Sequence, residues 1–203
     1  MNEPLLSKTR PLTTAFCGSN QGNWQISAMH TLIGPSLPQM PYLAIVKADA
    51  LTQETAPAWT LYGIPSHLRY TTQPEKEVLD QQPSILNKPE NTCAVLIPIQ
   101  KTADWWQMAQ DERRHIFEED SRHIAFSQSY LAVISRKLYH AKDLGEDFDF
   151  LTWFEFAPEN EGLFNELLDY LRSTQEWKYV CREIDIRLSR SEASNLLPEV
   201  HYE

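Results

Sequence analysis

The sequence predicts an α+β fold, and three observations carry that prediction. Apolar runs of strand length recur along most of the chain. Two long helical segments interrupt them only after residue 100. Hydrophobic residues make up 42% of the 203, enough for a real core, while 23% charged residues with 13 prolines and 6 glycines exclude a disordered or fibrous chain.

The elements follow in order. Residues 1–23 are polar and punctuated by Pro and Gly, and read as an arm. "NWQISAMHTLIG", "PYLAIVKAD" and "APAWTLYGI" read as strands. "QPEKEVLDQQ" predicts a short helix with Pro74 in its first turn, and "SILNKPENT" a linker. "TCAVLIPIQK" is an apolar run of strand length. "TADWWQMAQDERRHIFEEDSRHIAF" predicts one long helix, with Thr102 as N-cap and Asp104 in the first turn. "LAVISRKLYHA" alternates as a strand, "KDLGED" is a turn, and the aromatic-rich "FDFLTWFEFA" is a further strand. "PENEGLFNELLDYLRST" places Leu163, Phe164, Leu167, Leu168 and Leu171 at helical spacing behind Pro158. "EWKYVCREIDIRLSR" closes as a strand, with Val180, Ile184, Ile186 and Leu188 on one face, interrupted by Arg182.

From residue 92 the order is therefore β-α-β-β-α-β, the ferredoxin-like pattern, in which helices cover one face of an antiparallel sheet. The other face needs a cover, and the strands of the first half are the candidate. Two such units would form a barrel-like core with helices outside and enclose a cavity. The division expected is 1–91, an N-terminal ferredoxin-like half with an arm, and 92–203, a C-terminal half.

The formal charge of −10 argues against general nucleic-acid binding, which needs a basic face, and means that a small anionic substrate would be drawn in by a local cation. Cys17, Cys93 and Cys181 form no CxxC or CxxCH pattern, which fits a reduced, cytoplasmic setting. No secretion signal is read at the N-terminus, and no apolar run is long enough to span a membrane.

Few residues suggest chemistry by type and spacing. The histidines make no HExxH or HxxxH pattern, so a multi-histidine metal site is not expected. His123 would share a helix face with Ile116 and Tyr130 if the helix continued, a setting usual for a satisfied core or surface histidine, with a ligand as the sharper alternative. Arg136 lies between Ile134 and Leu138 on one face of its strand. A buried guanidinium needs an anion, either a carboxylate such as Glu183 or Asp185, or an exchangeable one. Lys101 and Trp105 could converge on an anionic group, or be a snorkelling lysine beside a core indole; Arg69 and Tyr70 offer a similar pair. No nucleophile elbow, phosphate loop or glycosidase-like acid pair is present.

Together, the elements KxxxWW (101–106), SxHI (121–124), SRKL (135–138) and EWKYVxREIDIRL (176–188) stand in the order and spacing of the chlorite dismutase family, and the chain resembles it over about residues 60–190. The short N-terminal half is similar to the small dimeric lineage, which implies a truncated first ferredoxin-like half and a homodimer. The resemblance implies a non-covalent haem b in the C-terminal half and conversion of chlorite to chloride and dioxygen, an oxidoreductase-type chlorite O2-lyase. It implies His123 as proximal iron ligand, Glu176 as the acceptor of the ring's other N–H, and Arg136 as the distal arginine. Gln82, or its neighbour Gln81, matches a glutamine that holds that arginine. Lys101, Trp105 and Tyr70 match residues near the haem propionates. Residues before 60 receive no role. Two alternatives stand beside this: a coproheme decarboxylase, whose relatives lack the distal arginine, and a haem carrier or sensor without turnover.

Overall fold

The computed structural model describes residues 13–51, 57–65, 72–80 and 86–191. Eight antiparallel strands form a closed barrel: β1 (Thr14–Ser19), β2 (Trp24–Ile33), β3 (Tyr42–Lys47), β4 (Trp59–Pro65), β5 (Cys93–Lys101), β6 (Ile134–His140), β7 (Phe150–Phe156) and β8 (Val180–Arg190). Around the ring they run β1-β3-β2-β8-β5-β7-β6-β4. The first four and the last four strands thus form two arcs with the same internal order. The arcs meet at an extended seam between β2 and β8 and at a short one, Ile64↔His140 and Pro65↔Tyr139, between β4 and β6.

The observed order from Cys93 onward is the predicted β-α-β-β-α-β. Three expectations are corrected. The supposed arm contains β1, which pairs with β3 on one side and β4 on the other and so closes the ring. The long helix is broken into α2 (Ala103–Gln107), α3 (Gln110–Arg114), a π-helical segment (His115–Asp120) and α4 (His123–Gln128); α1 is the predicted short helix (Gln73–Asp80). Thr102 does cap α2, its Oγ1 accepting from Trp105 N–H at 3.3 Å. Because the chain breaks at Arg122, Ile116 and His123 share no continuous helix face.

The third correction concerns the cavity. The barrel interior is solid. Phe16, Trp24, Leu43, Trp59, Leu96, Tyr139, Trp153 and Ile186 contribute one side chain from each of the eight strands to a single apolar cluster. The second cluster lies on the outside of the barrel. There Val95, Ile97, Ile134, Phe154 and Phe156 pack against Tyr130 and the face Phe164, Leu167, Leu168 and Leu171 of α5 (Glu161–Ser173). Leu163, assigned to that face by its spacing, is 42% exposed. Val180 joins the outer cluster rather than the interior one of Ile184, Ile186 and Leu188, because the β5–β8 register shifts between Gln100 and Lys101. Any site between sheet and helices is thus outside the barrel, in its second arc. No helix among the described residues is long and apolar enough to cross a membrane.

Candidate functional site

His123 opens α4, and its Nδ1 lies 2.7 Å from Glu176 Oε2. Glu176 stands in the 3₁₀ turn Glu176–Tyr179 that leads into β8, not in the strand itself. Its other oxygen, Oε1, accepts from Lys101 Nζ at 2.7 Å, and both side chains are almost wholly buried. Burial alone would raise the Glu176 carboxyl. Lys101 and His123 outweigh it, through charge and hydrogen bonds, and bring it down to about 2. An ionised carboxylate only accepts, so Nδ1 carries a proton toward Glu176, and in the neutral ring it is Nε2 that presents the lone pair. Nε2 has no hydrogen-bond partner among the described residues. Phe117 stacks on the ring, with centroids 4.3 Å apart.

Lys101 does not snorkel. It lies between indoles, 4.6 Å from the Trp105 ring and 5.5 Å from the Trp177 ring, and its charge is spent on Glu176. The resemblance puts this lysine near propionates; the structure places it behind the histidine. Trp105 is 1% exposed and its Nε1 donor is unpartnered among the described residues. The second indole, Trp106, donates to Asp149 Oδ2 at 3.0 Å, and the same oxygen accepts from Lys101 N–H at 2.6 Å.

Arg136 is on β6 opposite Phe154, on the same outer face as Ile134. It is half-buried and makes no hydrogen bond or ion pair with the described residues. Burial pushes its guanidinium down from the ordinary value; arginine nonetheless stays protonated at working pH. The carboxylate solution is ruled out for the two partners weighed. Glu183 binds Arg172 and Trp177 Nε1, and Asp185 binds Arg172 and Arg187. The structure therefore brings His123, Glu176, Lys101 and Trp105 into one cluster and sets Arg136 apart from them, on the sheet of the same arc. Gln82, Gln81, Tyr70 and Arg69 lie outside the described residues.

Residue-by-residue reading missed three supporting groups. Ser121 Oγ accepts the Glu176 N–H at 3.0 Å, and Glu118 accepts two N–H groups at the start of α4. Asp149 joins the start of α2 to β5. Only Ser121 had a signal, as the first residue of the SxHI element. What the cluster can do is bind a metal through one imidazole nitrogen. Among the described residues no group of three or more His, Cys, Asp or Glu could hold a metal ion.

A family model described as chlorite dismutase matches residues 33–191, and the chain belongs to that family. A dimeric chlorite dismutase from Nitrobacter winogradskyi has a similar structure, with a TM-score of 0.81 and 49% identity over 88% of this chain and 99% of that one. A mutant chlorite dismutase from Candidatus Nitrospira defluvii, solved in complex with cyanide, shares the fold at a TM-score of 0.63 and 18% identity, over 90% of this chain and 92% of that one. The chlorite dismutase of Ideonella dechloratans is 37% identical over 89 residues, which span 44% of this chain and only 29% of that protein.

Proposed function

We infer that the protein is a haem b-dependent chlorite O2-lyase that converts chlorite to chloride and dioxygen. The observation that carries this reading is the Arg136 guanidinium, which has no partner among the described residues and lies beside Ile134 and Phe154 on the sheet of the arc that carries His123. A half-buried charge that no described carboxylate answers is costly to keep, and an exchangeable anion gives it a reason. The residues also fit the cofactor: among the described residues Nε2 of His123 has no partner and the buried Trp105 Nε1 has no acceptor, while Nδ1–H of the ring is committed to Glu176. His123 would hold the haem iron through Nε2, and Glu176, kept ionised by Lys101, fixes the tautomer and makes the imidazole a stronger donor.

Bound haem supplies an iron at which an O–Cl bond breaks and an O–O bond forms. The chain's part is electrostatic. Arg136 attracts chlorite against the negative mean field and holds the chlorine oxyanion without exchanging a proton. Its apolar neighbours exclude water and so strengthen that hold. By the same resemblance Gln82, or its neighbour Gln81, would orient the guanidinium, and Tyr70 with Trp105 would meet the propionates.

We read each arc as a ferredoxin-like unit, 1–91 and 92–203, because both have the same strand order; in the first, no helix is inserted between β1 and β2. A homodimer is supported by the dimeric relative, and a reduced cytoplasmic setting by free Cys17, Cys93 and Cys181. Arg136 speaks against the decarboxylase alternative. An oxygen electrode tests the function: the haem-loaded protein releases one O2 per chlorite consumed. Chlorite consumption without oxygen, or haem b formed from iron coproporphyrin and peroxide, would overturn it.

A further inference from the structure

The segment that precedes His123 carries two side chains whose bonds end on the backbone just after His123 and on that of Glu176. Glu118 Oε2 accepts from Ile124 N–H at 2.6 Å, and Oε1 from Ala125 N–H at 3.0 Å. These are first-turn donors that α4 itself cannot satisfy. Arg122, at the usual capping position, makes no side-chain cap and adopts a left-handed backbone, φ 46° and ψ 35°. A bulky residue disfavours that conformation, and here charge-assisted bonds from an earlier carboxylate hold the chain in it. Ser121, 1% exposed, accepts the Glu176 N–H, and its own carbonyl accepts from Tyr170 OH at 3.2 Å.

We propose that Glu118 and Ser121 are positioning residues: Glu118 fixes the backbone from which His123 projects, and Ser121 fixes the backbone from which Glu176 projects. One turn, residues 118–123, then sets the separation of Nδ1 and Oε2 before any cofactor arrives. The inference rests on the haem reading for its consequence but not for its geometry, and the experiment separates the two.

In the haem-free protein, proton NMR follows solvent exchange of the His123 Nδ1–H. Glu118→Gln, which keeps one acceptor oxygen, and Ser121→Ala each speed that exchange about tenfold, the size of one lost hydrogen bond. Glu118→Asp restores part of the protection, and Glu119→Gln changes nothing. In the haem-loaded protein the iron–histidine stretching frequency falls in both variants, and haem dissociates about ten- to hundredfold faster. A change in global unfolding alone would leave the frequency of the folded fraction untouched. Wild-type Nδ1–H exchange and frequency in both variants would overturn the proposal. If Glu118→Gln does not fold, Ser121→Ala and Glu118→Asp decide it. A wild-type protein that takes up no haem would sink the functional reading, and the haem-free exchange measurement would still decide this one.

Discussion

The two arcs of the barrel share a strand order and a core, yet the described residues of the candidate site all come from the second. Between β1 and β2 the chain runs through residues 20–23; at the equivalent place between β5 and β6 it runs through 102–133 and makes α2, α3, the π-helical segment and α4. Between β7 and β8 it adds α5, where β3 and β4 are joined by 48–58. The difference teaches that the barrel is scaffold and that the helical insertion before β6 brings His123 to the outer face of the second arc. Inside, side chains of both arcs interlock, as when Trp153 of β7 meets Phe16 and Trp24. Outside, His123 comes from an insertion and Arg136 from the sheet it covers.

If the second arc anchors the haem, His123→Ala abolishes haem retention while the circular dichroism of the barrel is kept. Full Soret absorbance per protein after purification would break that assignment. If the core belongs to both arcs, Trp153→Ala lowers stability by about 3–5 kcal/mol and the protein still unfolds in one transition. Two separated transitions in urea would mean that the arcs fold apart. Arg136→Leu should cut turnover about 10²- to 10³-fold and increase bleaching of haem by escaping hypochlorite. It should leave the melting temperature unchanged or raise it, because an unpaired charge is removed; a clear fall in melting temperature would show that the arginine is structural.

The acid response sharpens the comparison further. Glu176 sits at about 2 in the fold against an ordinary 4.5, so its contribution is complete above pH 4.5 and is lost as pH falls toward 2. In the haem-free protein that loss is on the order of 3 kcal/mol, and Glu176→Gln should flatten urea midpoints across that window. A variant with the wild-type slope would assign acid sensitivity elsewhere. The smallest effect concerns the seams. Amides at Ile64 and His140, on the two-pair seam, should exchange faster than those at Thr31 and Ile186 on the long one.

The strands of the second half were legible because β5, β7 and β8 are long runs, buried on both sides and rich in apolar residues. β1 was not. "TAFCGS" is short, and it is a strand only because β3 and β4 flank it, which no local pattern records. The break before His123 was equally hidden. Arg122 is not a turn residue by type, and its left-handed backbone depends on Glu118 acting across the break. For the site, the motifs led to His123, Glu176 and Arg136, whereas spacing alone left each of them ordinary. Lys101 shows the limit: a lysine beside two tryptophans suggests a surface cation, and only the fold turns it inward to Glu176. The expected cavity is absent from the barrel interior because, although two facing sheets suggest a chamber, eight inward rows of large side chains fill it.

The closed ring has a consequence for the order of folding. β2 finds its long partner only in β8, the last strand, and β4 reaches the second arc only through β6. During synthesis the first arc therefore waits with two unsatisfied borders, and pairing across more than a hundred residues comes last and slowly. A chain released early would offer the β2 border to another nascent copy, so the hazard of misassembly should peak while residues 180–190 are still unmade.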